Sequence, residues 1–265
     1  MGYTKTELKD MIEAMGIRPT DTLVIHSSMK AIGPVNGGAD TVIDAWMEYL
    51  ADGLLILPAH TWRQMGAGHT VFDPETEPSC VGVITELFRR REGVVRSLHP
   101  THSVAVWGPG KDIFIKGEER CGTPCPPEGC WAKVEPLQGK ILLIGVGHER
   151  NTFIHAVEEQ LGVPDRLTAE AVSFYIRKPD GSLIHRPVQR HYNTKTDHIS
   201  ACYPKLEQAF YDTGAAVKVK FGDADCILCD APKVAAVTRH VLKHEINCLI
   251  DREEIPGEWY FDFRS

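Results

Sequence analysis

No stretch of this chain is long and apolar enough to cross a membrane. The longest apolar runs, 54–59 and 141–146, fall far short of the roughly 20 residues that a spanning helix needs. The opening MGYTKTELKD lacks the basic-then-apolar layout of a signal peptide. Met1-Gly2 agrees with a myristoylation motif only at position 6, and no second membrane signal follows. A cytoplasmic location with no membrane partner is therefore expected. Basic charge is not in excess: 29 Lys and Arg face 36 Asp and Glu, a formal net charge of −7. That balance argues against a nucleic-acid backbone as the main partner. Cysteine is modest, eight in 265 residues, and in a reducing compartment these are more readily free thiols or ligands than bridges. Linker-like composition and internal repeats are also lacking, so one domain over 1–265 is expected.

What is present suffices for a substantial core, with 43% hydrophobic and 25% charged residues. Thr4 and Glu7 read as a capping box, opening a helix with Leu8, Met11, Ile12 and Met15 at helical spacing and Gly16 at its end. Strands are expected at 22–26, 53–59, 103–107 and 141–146, the last the most strand-like run. Helices are expected over 40–50, through Val83, Ile84, Leu87 and Phe88, and from an Asn151 N-cap to Leu161. Residues 60–79 read as a long loop, and 117–130 as an irregular segment. A hairpin turns about Pro179-Asp180-Gly181 within 171–188. A helix near 203–211, a β segment at 217–221 and a final helix over 232–244 complete the chain. Alternating strands and helices followed by a hairpin predict an α/β fold around a mixed, partly parallel sheet.

Four segments carry residues suited to chemistry. HSSMKAIGPVNGG follows the first strand, where backbone N–H groups and a helix start can hold an anion; a glycine-rich turn without a ligand has the same appearance. VVRSLHPTHSVAVWG offers Arg96 for a phosphate, with His99 and His102 beside a proline; a structural turn is the alternative. In LLIGVGHERNTFIHAVEE, His155, Glu158 and Glu159 share a helix face beside the stripe Ile154, Val157 and Leu161. Such a triplet suits binding a cationic amine and taking its proton, or is a polar helix face. Cys121, Cys125 and Cys130, spaced C-x3-C-x4-C, make a poor zinc signature, and no metal is expected.

Taken together and in order, VIHSSMKAIGPVNGGADTVIDA, VVRSLHPTHSVAVWG, GKILLIGVGHERNTFIHAVEE and FGDADCILCDAPKVAAV resemble the aminoglycoside 3-N-acetyltransferase family over roughly 4–242. The resemblance implies an α/β/α layered sandwich, distinct from the histone-type acetyltransferase fold, that uses acetyl-CoA without a metal. It implies that Ser27, Ser28, Met29, Lys30, Ile32, Gly33, Val35 and Gly37 of the first turn, with Arg96, Ser97 and His99, hold the coenzyme A. It also implies that His155 is the catalytic base, with a pKa of about 6.5 suited to that task. Asp197 or Glu159 would orient it, Glu158 would stand with them in the catalytic site, and Glu158 and Glu159 would receive the cationic acceptor. The chain departs from the family where an Asp-Tyr-Asp segment is common, carrying His191-Tyr192-Asn193, and where Cys130 stands in place of a usual serine. The expected function is acetyl transfer to a small amine, the 3-amino group of an aminoglycoside among the candidates; a homodimer is compatible with it. The alternative is a coenzyme A-binding or Cys/His metal-binding relative without that activity.

Overall fold

The computed structural model describes residues 2–196, 198–250, 254–261 and 263. Among the described residues there are ten strands: β1 (Thr22–Ser27), β2 (Leu54–Pro58), β3 (Val71–Phe72), β4 (Val95–Arg96), β5 (Val104–Trp107), β6 (Lys140–Ile144), β7 (Val172–Arg177), β8 (Leu183–Val188), β9 (Ala216–Phe221) and β10 (Ala224–Asp230). Seven of them form one sheet in the order β4-β5-β2-β1-β6-β10-β9. Its centre is parallel, β1 lying between β2 and β6. These are the chain's near-continuous apolar runs, as strands buried on both faces require. The flanks are antiparallel, β5 on β2 and β10 on β6.

Period-two alternation divides the central strands between two cores. Val24, Leu54, Ile56, Ile141 and Leu143 face one side; Leu23, Ile25, Leu55, Leu57, Leu142 and Ile144 face the other. The second side is covered by α1 (Lys5–Ala14), α2 (Met29–Ile32), α3 (Gly38–Tyr49) and α4 (Val83–Phe88). The first is covered by α5 (Lys111–Ile115), α6 (Cys130–Lys133), α7 (Thr152–Leu161), α8 (Glu207–Asp212) and α9 (Ala231–His244). The expected α/β/α sandwich is observed. Thr4 and Glu7 form the reciprocal capping box of α1.

Several local expectations are corrected. Residues 224–230 form a strand that the sequence pattern did not reveal, inserted between β6 and β9. The 60–79 loop contains β3, which joins the β7–β8 hairpin in a separate three-stranded sheet. That sheet has a small core of Met65, Phe72, Phe174, Ile176 and Val188. Asn151 precedes α7, but its side chain makes no cap bond and donates toward the His148 ring instead. Residues 199–206 wind as a 3-10 helix containing Pro204 before α8 begins. Cys121, Cys125 and Cys130 are buried free thiols.

Candidate active site

The carboxyl ends of β1, β2 and β6 open into a cleft of about 660 Å³, where ligands of open α/β sheets bind. His26 and Ser27 reach it from β1, His60, Trp62 and Arg63 from the chain after β2, and Glu149 and Arg150 from the turn after β6. His155 enters from α7, and Arg190 and His191 from the segment after β8.

Helix α7 places His155. Phe153, Ile154, Ala156 and Val157 pack into the core, which turns His155 to the cleft with only 7% of its surface exposed. The Tyr203 hydroxyl lies 2.5 Å from its Nδ1 and donates to Glu158 Oε2. The direct His155–Glu158 separation is 3.7 Å, so the phenol is the coupling element. A hydroxyl that gives its one proton to a carboxylate accepts from Nδ1–H, which leaves Nε2 as the basic nitrogen. Glu158 Oε1 accepts from Arg166 Nε at 2.7 Å. Burial pushes the Glu158 carboxyl up, and Arg166 and Tyr203 oppose that shift. Burial, with Glu158 second, holds the Tyr203 phenol protonated well above its ordinary range.

A second histidine–carboxylate pair lies against the first. His191 Nε2 is 3.1 Å from Glu159 Oε1, and the His155 and His191 rings stack at 3.9 Å between centroids. Burial first, and His191 second, lower the His155 pKa well below 6.5. The ring series continues through His102, 4.9 Å from His191, to His60, 4.7 Å from His102. Burial lowers His26 to about 3 and His60 well below its ordinary value. Both shifts favour the neutral ring, and in both Nε2 is buried without a hydrogen-bond partner.

The expected coenzyme A residues separate. Ser27 lines the cleft. Ser28 precedes α2, which holds Met29, the exposed Lys30 and the fully buried Ile32. Gly33 has φ +83° and so little room that a Cβ would lie 2.0 Å from Asp223 Oδ2. Val35 bridges to Tyr3, and Gly37, at φ +84°, abuts Thr41. The turn is thus packed tightly against the protein's own elements. Arg96 does not face the cleft: its guanidinium donates to Ser103 Oγ and to the carbonyls of Ala59, Pro74 and Glu77, and burial lowers it to about 9. Ser97 is fully buried and its Oγ accepts from Val104 N–H. His99 Nδ1 accepts from the Thr101 and His102 N–H groups.

Glu158 and Glu159 are equally committed. Glu158 is 1% exposed, and Glu159 accepts from Thr123 Oγ1 and Cys125 N–H besides His191. They support the histidines from behind and are not open to an acceptor ammonium. Asp197 lies outside the described residues. Tyr203 and Arg166 are among the residues that the sequence did not single out, as are His60, Arg63 and Arg190 of the cleft lining; nothing local marks a tyrosine 48 positions from its partner. Cys125, Glu159 and His191 bring potential ligand atoms within 4.8 Å of one another. Burial pushes the Cys125 thiol up, so it is protonated, and the hydrogen bonds just given already occupy the carboxylate.

Comparison with known proteins agrees with this geometry. A family model described as aminoglycoside 3-N-acetyltransferase matches residues 24–243. Aminoglycoside N(3)-acetyltransferase IV of Salmonella sp is 33% identical over 168 residues, 61% of this chain and 61% of that one. Aminoglycoside N(3)-acetyltransferase VII of Streptomyces paromomycinus is 29% identical over 181 residues, 62% of each. The matched segment thus spans about six-tenths of the length of these curated relatives. The apoenzyme structure of aminoglycoside acetyltransferase AAC(3)-IVa aligns with a TM-score of 0.80 at 26% identity, covering 97% of this chain and 93% of that one. A mutant of the same protein in complex with gentamicin gives 0.81 at 25% identity, with the same coverage. With most of its length matched by the family model and its fold shared with a solved member, the chain belongs to the aminoglycoside 3-N-acetyltransferase family.

Proposed function

We propose that this protein transfers the acetyl group of acetyl-coenzyme A to an amine of a small acceptor, the 3-amino group of an aminoglycoside being the acceptor given by its relatives' names. The observation that carries this reading is His155, a neutral imidazole in the cleft whose Nδ1 is held by Tyr203 and Glu158. An aliphatic amine is protonated at neutral pH and must lose that proton before it can attack a thioester. Nε2 takes the proton as general base. Tyr203 fixes the tautomer, and the Glu158 carboxylate behind it favours the imidazolium that forms, as the third member of a catalytic triad does. Burial first, and the His191 ring that Glu159 fixes second, oppose a resting positive charge on His155 and favour the unprotonated base between turnovers.

Acetyl-coenzyme A supplies the activated acyl group. Residues suited to hold it line the same cleft: the Ser27 hydroxyl, the unpartnered Nε2 atoms of His26 and His60, and the cations Arg63, Arg150 and Arg190. Acyl transfer from a thioester to an amine needs a base and hydrogen-bond donors, and the reading invokes no metal. The chain acts as one catalytic domain in the cytoplasm. The test is thiol release from acetyl-coenzyme A in the presence of gentamicin and a panel of other amines, with the acetylated product identified by mass spectrometry. Amine-dependent release is expected. Release no faster than buffer hydrolysis with every amine would refute the assignment.

A further inference from the structure

The family resemblance implies Arg96 as a phosphate cation, but its guanidinium is occupied by three carbonyls and a hydroxyl. A ligand with phosphates would have to meet other cations. In a chain of net charge −7, the cleft lining nevertheless contains Arg63, Arg150 and Arg190 against one carboxylate, Glu149. Arg150 lies 3.9 Å from that carboxylate. Arg63 and Arg190 have no acidic partner among the described residues. Both are gathered on one residue: Arg190 Nη2 donates to the Trp62 carbonyl at 2.6 Å, and the Arg63 guanidinium lies 5.5 Å from the Trp62 ring centroid.

We propose that Arg63 and Arg190, held on Trp62, form a phosphate-binding subsite of the cleft. Both guanidinium groups line the cleft with no carboxylate of the described residues to neutralise them, so an anion entering it supplies the missing opposite charge. Their planar donor forks match phosphate oxygens. Because Arg190 is already tethered by the Trp62 carbonyl, less side-chain freedom is lost when the anion arrives. The occupant is a phosphate of coenzyme A or a phosphate carried by the acceptor. Only the choice between these rests on the acetyl-transfer reading; the anion site itself does not.

Inorganic pyrophosphate is the direct probe, titrated by calorimetry at low salt into wild type, Arg63→Gln, Arg190→Gln and the double variant. Each glutamine is expected to weaken binding by about tenfold or more, the loss of a charge-assisted hydrogen bond, and to flatten its salt dependence. Arg63→Lys should retain part of the affinity. Melting curves show that each variant is folded, and Arg63, which is exposed, carries the test if Arg190→Gln is not. Equal affinity in wild type and the double variant, or no binding to wild type, overturns the proposal. The source follows from two further comparisons. If coenzyme A weakens and pantetheine does not, the phosphate is the coenzyme's. If the KM for glucosamine 6-phosphate rises and that for glucosamine does not, it is the acceptor's. Absence of amine-dependent thiol release by wild type would instead remove the acetyl-transfer reading and leave the pyrophosphate result standing.

Discussion

A phenol carries one proton, and at Tyr203 that proton goes to Glu158, so its oxygen can hold Nδ1–H of His155 and nothing else. Tyr203→Phe should leave the histidine 3.7 Å from Glu158 with no acceptor between them. Loss of a hydrogen bond in a charged relay, about 1.5–3 kcal/mol, predicts a fall in kcat of roughly 10–100-fold. The KM for acetyl-coenzyme A should change little. Because the lost acceptor stabilises the imidazolium, the acid limb of the rate profile should move to still lower pH. Wild-type kcat and an unmoved profile in this variant would exclude the relay. In wild type that limb should already lie below 6.5, since burial and then His191 depress the His155 pKa. Helical spacing made the pairing of His155 with Glu158 legible in the sequence. It could not disclose that burial withdraws Glu158 from an acceptor, or that a distant tyrosine intervenes.

At the scale of elements, legibility followed burial. The strands β1, β2 and β6 are apolar on both faces and stand out in the sequence, as does the α1 capping box. β10 is short of large apolar residues in ADCILCD, with an exposed aspartate near its start and a half-buried one at its end, and its strand character comes from pairing with β6 and β9. β3 is two residues long and exists only through β7, about a hundred positions later. Arg96 shows the same non-locality. It ties β4 to carbonyls at 59, 74 and 77, bracing the long segment after β2, and packs over Phe72. Arg96→Ala should therefore act on stability, costing about 3 kcal/mol or more for the carbonyls left without partners. Thermal melting should fall by roughly 6–12 °C, while the folded protein keeps its affinity for coenzyme A. An unchanged melting temperature with weakened coenzyme binding would restore Arg96 as a phosphate ligand.

The whole molecule should be acid-labile for a stated reason. Burial lowers His26 to about 3, His99 and His148 to about 4, and His60, His102 and His155 well below 6.5. Each of these groups binds its proton more weakly in the folded state than in the unfolded one. Their contribution to stability is therefore intact above about pH 6.5 and is lost as the pH falls toward the folded-state values, at up to about 1.4 kcal/mol per pH unit for each group. The melting temperature should drop steeply between pH 6.5 and 4, with several protons taken up on unfolding; a flat profile there would show that the rings are not held neutral. The sequence showed twelve histidines, but only the fold brings His26, His60, His102, His155, His191 and His198 to one cleft. The same gathering underlies the central claim, that a neutral His155 takes the acceptor's proton. Steady-state kinetics of His155→Ala against wild type, across pH and on an amine that wild type acetylates, test it most directly. A kcat lowered by roughly 10²–10⁴-fold, a nearly unchanged KM for acetyl-coenzyme A and no acid limb from this group are expected; a variant with near-normal kcat and the wild-type pH profile would remove His155 from the reaction.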